Sequence, residues 1–165
     1  MKLLVLGLNY APEAIGIGPY TTGLATSLAA KGHAVAVIAA TPYYPAWNVP
    51  KEYRALLPRR SIENGVDVTR CPIYVPARPS GAKRILHHIS FGLSALLPML
   101  RRARAMRPDV VLAVAPSLIA APVARLAASI SGAACWLHVQ DLEVEAAFAT
   151  GLIDGRRASA RAAHV

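Results

Sequence analysis

"GLNYAPEAIGIGPYTTGLATSLAAKGHAV", residues 7–35, decides the fold. It opens where an apolar run ends, passes two closely spaced glycines, and enters a helix-patterned segment. Ahead of it, KLLVLGL (2–8) is apolar throughout, as expected of a strand buried on both faces of a parallel sheet. Beyond the glycines, Leu24, Leu28 and Ala29 recur at helical spacing within 18–31. Gly32 stands where a helix end favours a residue tolerant of positive φ. HAVAVIAA (33–40) reads as a second strand. Strand, loop, helix and strand make one βαβ unit.

The same alternation continues. GVDVTRC (65–71) reads as a third, more peripheral strand, and 82–106 as a long helix kinked or split at Pro98. DVVLAVA (109–115) is another buried strand, 117–130 a small-residue helix, AACWLHVQ (133–140) the next strand, and 142–150 the start of a further helix. This order predicts an α/β fold: a Rossmann-like parallel sheet with right-handed crossovers and helices on both faces. Ligands bind such sheets at the carboxyl ends of the strands, near the topological switch point. Those ends are the loops beginning at Asn9, Thr41, Cys71, Ala115 and Gln140.

Length and composition suit one well-buried domain: 165 residues, 55% of them hydrophobic, with a mean hydropathy of +0.39. The net charge of +9 is localised. Residues 51–107 hold 12 of the 18 Lys and Arg but 3 of the 9 Asp and Glu, so this stretch carries the whole excess. It reads either as a surface for an anionic partner or as arginine on solvated faces. Cys71 and Cys135 have no metal or redox spacing and read as small buried hydrophobes in a reducing compartment. The apolar start breaks at Asn9 and lacks a cleavage site, so a core strand explains it better than a signal peptide.

Gly16 and Gly18 precede a helix N-terminus, where amides and helix dipole favour an anion; a turn that merely needs glycine is the other reading. A dinucleotide fingerprint is not met. Gly16, Gly18 and Gly23 are spaced two residues too long, and the second strand ends in IAATP with no acid for a ribose. No G-K-[ST] of a P-loop occurs.

GIG followed by LATSLAAKGHAVAVI resembles the opening of GT-B glycosyltransferases of the GT4 type. WLHVQDLEVEAAFATGLI (136–153), NYAPEAIGIGPYT and TPYYPAW resemble the group containing the bacterial colanic-acid and exopolysaccharide glycosyltransferases. The resemblance covers nearly the whole chain. It implies two Rossmann-like domains facing a cleft, with residues 1–165 as the single N-terminal, acceptor-side domain. The second, nucleotide-sugar domain, with its paired glutamates, has no counterpart here, and RRASARAAHV reads as the opening of another helix rather than an ending. The isolated chain is expected to be inactive. The full-length protein is expected to be a retaining hexosyltransferase of cell-surface polysaccharide synthesis, with a saccharide acceptor on a lipid. The resemblance further implies a GDP- or UDP-sugar donor as substrate, no cofactor and no catalytic metal.

Residue roles follow from that resemblance. Gly16 and Gly18 match the loop whose amides approach the donor diphosphate, where charge builds as the glycosidic bond breaks. His138 matches a histidine facing the donor sugar; it could also cap its strand. Asp141 could orient the acceptor hydroxyl or His138, or cap the helix at 142. Glu143 and Glu145 fall in the first helical turn, where carboxylates are favourable anyway. Tyr43, Tyr44 and Trp47 offer flat faces to a sugar or lipid, or pack on one another.

The helix over 82–107 has an apolar centre, Ile85 to Leu100, too short for a membrane span. Lys83 and Arg84 bracket one end; Arg101, Arg102, Arg104 and Arg107 bracket the other. This is the pattern of an interfacial helix on an anionic inner-membrane face, and also of a core helix with solvated ends. Nucleic acid is not an expected partner, since no reading module occurs. The expected location is cytoplasmic, with membrane docking open. The reading from another class is a non-catalytic Rossmann-like binding domain for an anionic ligand or membrane surface. The sequence names neither the sugar, the acceptor nor the linkage.

Overall fold

The computed structural model describes residues 1–115 and 117–140; Asp141 and the helix expected over 142–150 lie outside them. Six strands are present among them: β1 (Lys2–Gly7), β2 (Ala34–Ala40), β3 (Arg59–Glu63), β4 (Val66–Cys71), β5 (Val110–Val114) and β6 (Ala134–His138). Three helices connect them: α1 (Gly18–Ala30), α2 (Gly81–Met106) and α3 (Ala121–Ser131). The strand order is β3-β4-β2-β1-β5-β6, and every pairing is parallel except β3 with β4. β1 lies at the centre, with Val5 opposite Val37 on one side and Leu112 on the other. The chain leaves β1 toward β2 and later returns past it to β5, so the switch point lies between β1 and β5.

The continuous apolar run of β1 is split between two cores by strand alternation. Leu4, Leu6 and Leu8 face α2 and α3, packing with Phe91, Met99 and Ala124. Leu3 and Val5 face α1, packing with Ala25 and Val37. Helices therefore cover both faces, as the Rossmann-like reading expects. The buried line of α1 runs through Gly18, Thr21 and Ala25, with Leu24, Leu28 and Ala29 packed at its flank.

Four local expectations are corrected. Strand β3 forms an antiparallel edge, and its hairpin with β4 turns at Asn64 (φ 50°) and Gly65 (φ 80°). Strand β4 is therefore internal, not peripheral. Helix α2 continues unbroken through Pro98, because Phe91, Ala95, Met99 and Ala103 are wholly buried along one face on both sides of it. Strand β6 is exposed along its length, pairing among the described residues only with β5, and its Cys135 is exposed rather than buried.

Candidate functional site

The glycine loop is held at the carboxyl end of β1 by a buried carboxylate. Glu13 is 6% exposed. Its Oε1 accepts the backbone N–H groups of Tyr43 and Tyr44, each at 2.9 Å, and its Oε2 accepts the Asn9 side-chain amide at 2.9 Å. One side chain thus joins the loops after β1 and β2. Thr22 adds a tie: its hydroxyl accepts the Ala11 N–H and donates to the Gly18 carbonyl, both at 2.8 Å. From β4, the buried Arg70 donates to the Ala11 carbonyl at 2.5 Å, pairs with Glu63 at 2.6 Å, and lies over the rings of Tyr10 and Tyr53.

The two glycines do different work. Gly16 has φ +72°, and an added Cβ would meet the Tyr44 ring at 3.1 Å. Gly18 is buried and close against Glu13, whose Cβ and carbonyl oxygen would each lie 3.1 Å from an added Cβ. Its smallness therefore serves packing as well as any ligand. The helix start itself offers few free amides: Pro19 has no N–H, and the Tyr20 N–H bonds the Ile17 carbonyl at 3.1 Å. Among the described residues, the amides of Gly16, Ile17 and Gly18 have no acceptor. Successive free amides in a turn form a concavity suited to an anion.

Beside this loop lies a cavity of about 310 Å³. Asn9, Gly16 and Ile17 form one wall, Tyr44 and Trp47 another, and Arg84, His87 and His88 of α2 the third. Tyr43 also lines it but is 6% exposed, and its ring packs edge-on to Trp47 and His87, with centroids 5.4 and 4.5 Å apart. Of the three aromatic residues singled out by sequence, Tyr43 thus takes the packing role, while Tyr44 is 37% exposed and Trp47 half-buried. His88 lies 3.2 Å from the Ser117 hydroxyl, linking this region to the loop after β5. A larger depression of about 710 Å³ lies between residues 53–59 and Pro72–Ile73. It contains no glycine-loop residue and brings no comparable polar set together, so the smaller cavity is the better candidate.

Burial pushes the ring pKa of both histidines down, that of His88 to about 4, with the Arg84 charge acting in the same direction. Both imidazoles are neutral at pH 7. Burial pushes the Cys71 thiol up to about 12, which removes it as a nucleophile. Among the described residues, no three His, Cys, Asp or Glu side chains converge as a metal-ligand set.

His138 ends β6 with its side chain exposed, and its carbonyl accepts the Ala115 N–H at 2.9 Å. It does not line the cavity with Gly16. The basic helix is also redistributed. Arg84 turns toward the cavity, its guanidinium 5.7 Å from the Trp47 ring centre, and Arg102 pairs with Asp67. Asp67 is simultaneously gripped by Arg60 through two 2.6 Å bonds. Arg84 thus lies at the cavity and Arg102 at Asp67, while Lys83, Arg101 and Arg104 form no ion pair among the described residues. Sequence reasoning missed Glu13, His87 and His88; the only signal was their place at a strand end and a helix head.

Residues 16–165 match the model of the glycosyl transferase 4-like domain. The chain belongs to that family. It is also 48% identical over 152 residues to a protein of Escherichia coli (strain K12) named "Putative colanic acid biosynthesis glycosyl transferase WcaI". The alignment covers 92% of this chain and 37% of that relative, so the chain spans little more than a third of the relative's length. The family agrees with the one reached from the glycine loop and the 136–153 segment.

Proposed function

We propose that residues 1–165 form the acceptor-side domain of a retaining glycosyltransferase acting in cell-surface polysaccharide synthesis. A GDP- or UDP-sugar held by a second domain would present its diphosphate to the amides of Gly16, Ile17 and Gly18. The single observation that carries this reading is the set of three unpartnered amides beside an aromatic-walled cavity at the carboxyl ends of β1 and β2. Backbone dipoles fixed there stabilise a leaving diphosphate without reorganising, and positioning supplies the rest. His138 and Asp141 keep their proposed roles toward the donor sugar and acceptor once the cleft closes.

The test compares sugar transfer by this chain alone with transfer by the chain joined to a nucleotide-sugar domain. Turnover that requires the second domain supports the proposal. Robust turnover by the 165 residues alone, or none by the joined protein, contradicts it.

A second reading concerns location. No helix among the described residues is long and apolar enough to cross a membrane. Helix α2 nevertheless exposes Leu86, Ile89, Leu93 and Leu97, at 50, 39, 69 and 53%, along one stripe. Helical spacing places Lys83, Arg101 and Arg104 beside that stripe. This face fits an anionic bilayer surface, suiting an acceptor carried on a lipid. Sedimentation with anionic vesicles at low salt supports it; failure to sediment contradicts it.

A further inference from the structure

We infer that the cavity between the glycine loop and the head of α2 binds a saccharide bearing an anionic group, with His87 Nε2 receiving a sugar hydroxyl and Arg84 holding the anion. This inference rests on the acceptor-side reading above and names what the acceptor must carry.

His87 is 1% exposed and lines the cavity. Its Nδ1 lies 2.6 Å from the Tyr74 carbonyl oxygen. A carbonyl can only accept, so Nδ1 carries the ring proton. In the neutral ring, Nε2 is then a bare acceptor, and no described group donates to it. Leaving such a buried atom unsatisfied is costly, so a donor supplied by a ligand removes a standing penalty. The neighbouring rings are Tyr43, Trp47 and His88, with centroids 4.5, 5.4 and 5.4 Å away. A sugar hydroxyl provides the missing donor, and the faces of Trp47 and Tyr44 suit a pyranose ring.

Arg84 supplies the charge selection. It lines the same cavity, sits over Trp47, and has no carboxylate partner among the described residues. Among the described residues, no acidic side chain lines the cavity. The Glu13 carboxylate nearby is already occupied by three donors. A carboxylate or phosphate on the sugar would meet a guanidinium with unused donors.

Trp47 reports on the site once the chain's other tryptophan, Trp136, is replaced by Phe. In that background, fluorescence titrations at fixed ionic strength use glucose, glucuronate, glucose 1-phosphate and inorganic phosphate. At least one charged sugar is expected to bind about ten-fold more tightly than glucose, and whether it is the uronate or the phosphate identifies the anion. R84Q is expected to abolish that preference while leaving glucose binding unchanged. H87N retains a donor toward the Tyr74 carbonyl but removes Nε2; it is expected to weaken all three sugars about ten-fold and spare inorganic phosphate. Equal affinity for charged and neutral sugars, or sugar binding unchanged in H87N, overturns the inference. Because binding is read on the chain itself, failure here leaves sugar transfer standing. Absence of transfer by the joined protein counts against that reading whatever this cavity binds.

Discussion

Glu13 Oε1 accepts the backbone N–H of Tyr43 at 2.9 Å, fastening the glycine loop to the loop that follows β2. The bond is buried, and the same carboxylate also binds the Tyr44 N–H and the Asn9 amide. The cavity walls therefore share one anchor. Glu13→Ala leaves three donors unmatched and is expected to cost about 2–4 kcal/mol in urea unfolding. Glu13→Gln is expected to cost less, because the Asn9 amide can flip to present its oxygen to the new NH₂ group. Equal losses for the two substitutions would show that the hydrogen bonds are not what matters.

The glycines separate by mechanism. Gly16→Ala places a side chain at φ +72° against Tyr44, and the left-handed conformation alone costs about 1–2 kcal/mol. Gly18→Ala instead drives a Cβ against the Glu13 backbone, which cannot swing aside. Gly23→Ala meets nothing within 4 Å, lies inside α1, and is expected to stabilise by up to about 1 kcal/mol. Thermal unfolding of the three variants checks the order.

Asp67 ties β4 to both β3 and α2. Hydrogen bonding from Arg60 is the largest influence lowering its carboxyl pKa; burial opposes this and the Arg102 charge assists. A lowered folded pKa means stability that is present above the unfolded carboxylate value of about 4 and is lost as pH falls below it. Asp67→Asn is expected to be less stable than the parent at pH 7, with the gap narrowing as pH falls below the unfolded carboxylate value. A gap independent of pH would contradict the pairing.

His88 runs the other way. Its folded pKa, near 4, lies below the unfolded value of about 6.5. The unfolded chain therefore takes up a proton first, and stability falls as pH drops from 6.5 toward 4. His88→Gln is expected to flatten the urea midpoint over that interval.

The basic residues of α2 are predicted to divide. Arg101→Gln and Arg104→Gln should each weaken anionic-vesicle binding by about 1 kcal/mol, roughly five-fold. Arg102→Gln should lower folding stability, through Asp67, with little effect on vesicle binding.

Much of this was legible in sequence, for identifiable reasons. Strands β1, β2 and β5 are apolar runs, because both faces are covered by helices. Strand β3 escaped because RRSIE is almost wholly exposed and has no apolar period, although Asn64-Gly65 is a strong hairpin signal. The glycine loop was visible as a motif, but its anchor was not: a glutamate among YAPEAIG looks like any solvated acid. His87 and His88 were hidden by the long helix, whose pattern gives no sign of which polar residues turn toward a strand end. Tertiary placement decided those three.

The most direct measurement is the rate of sugar transfer by the chain joined to a nucleotide-sugar domain, with Gly16→Ala compared against Gly23→Ala. The account predicts a loss of about 10²-fold in kcat for Gly16→Ala, the scale of one disrupted oxyanion-type donor, and a near-parental rate for Gly23→Ala. A folded Gly16→Ala enzyme that transfers sugar at the parental rate would contradict it.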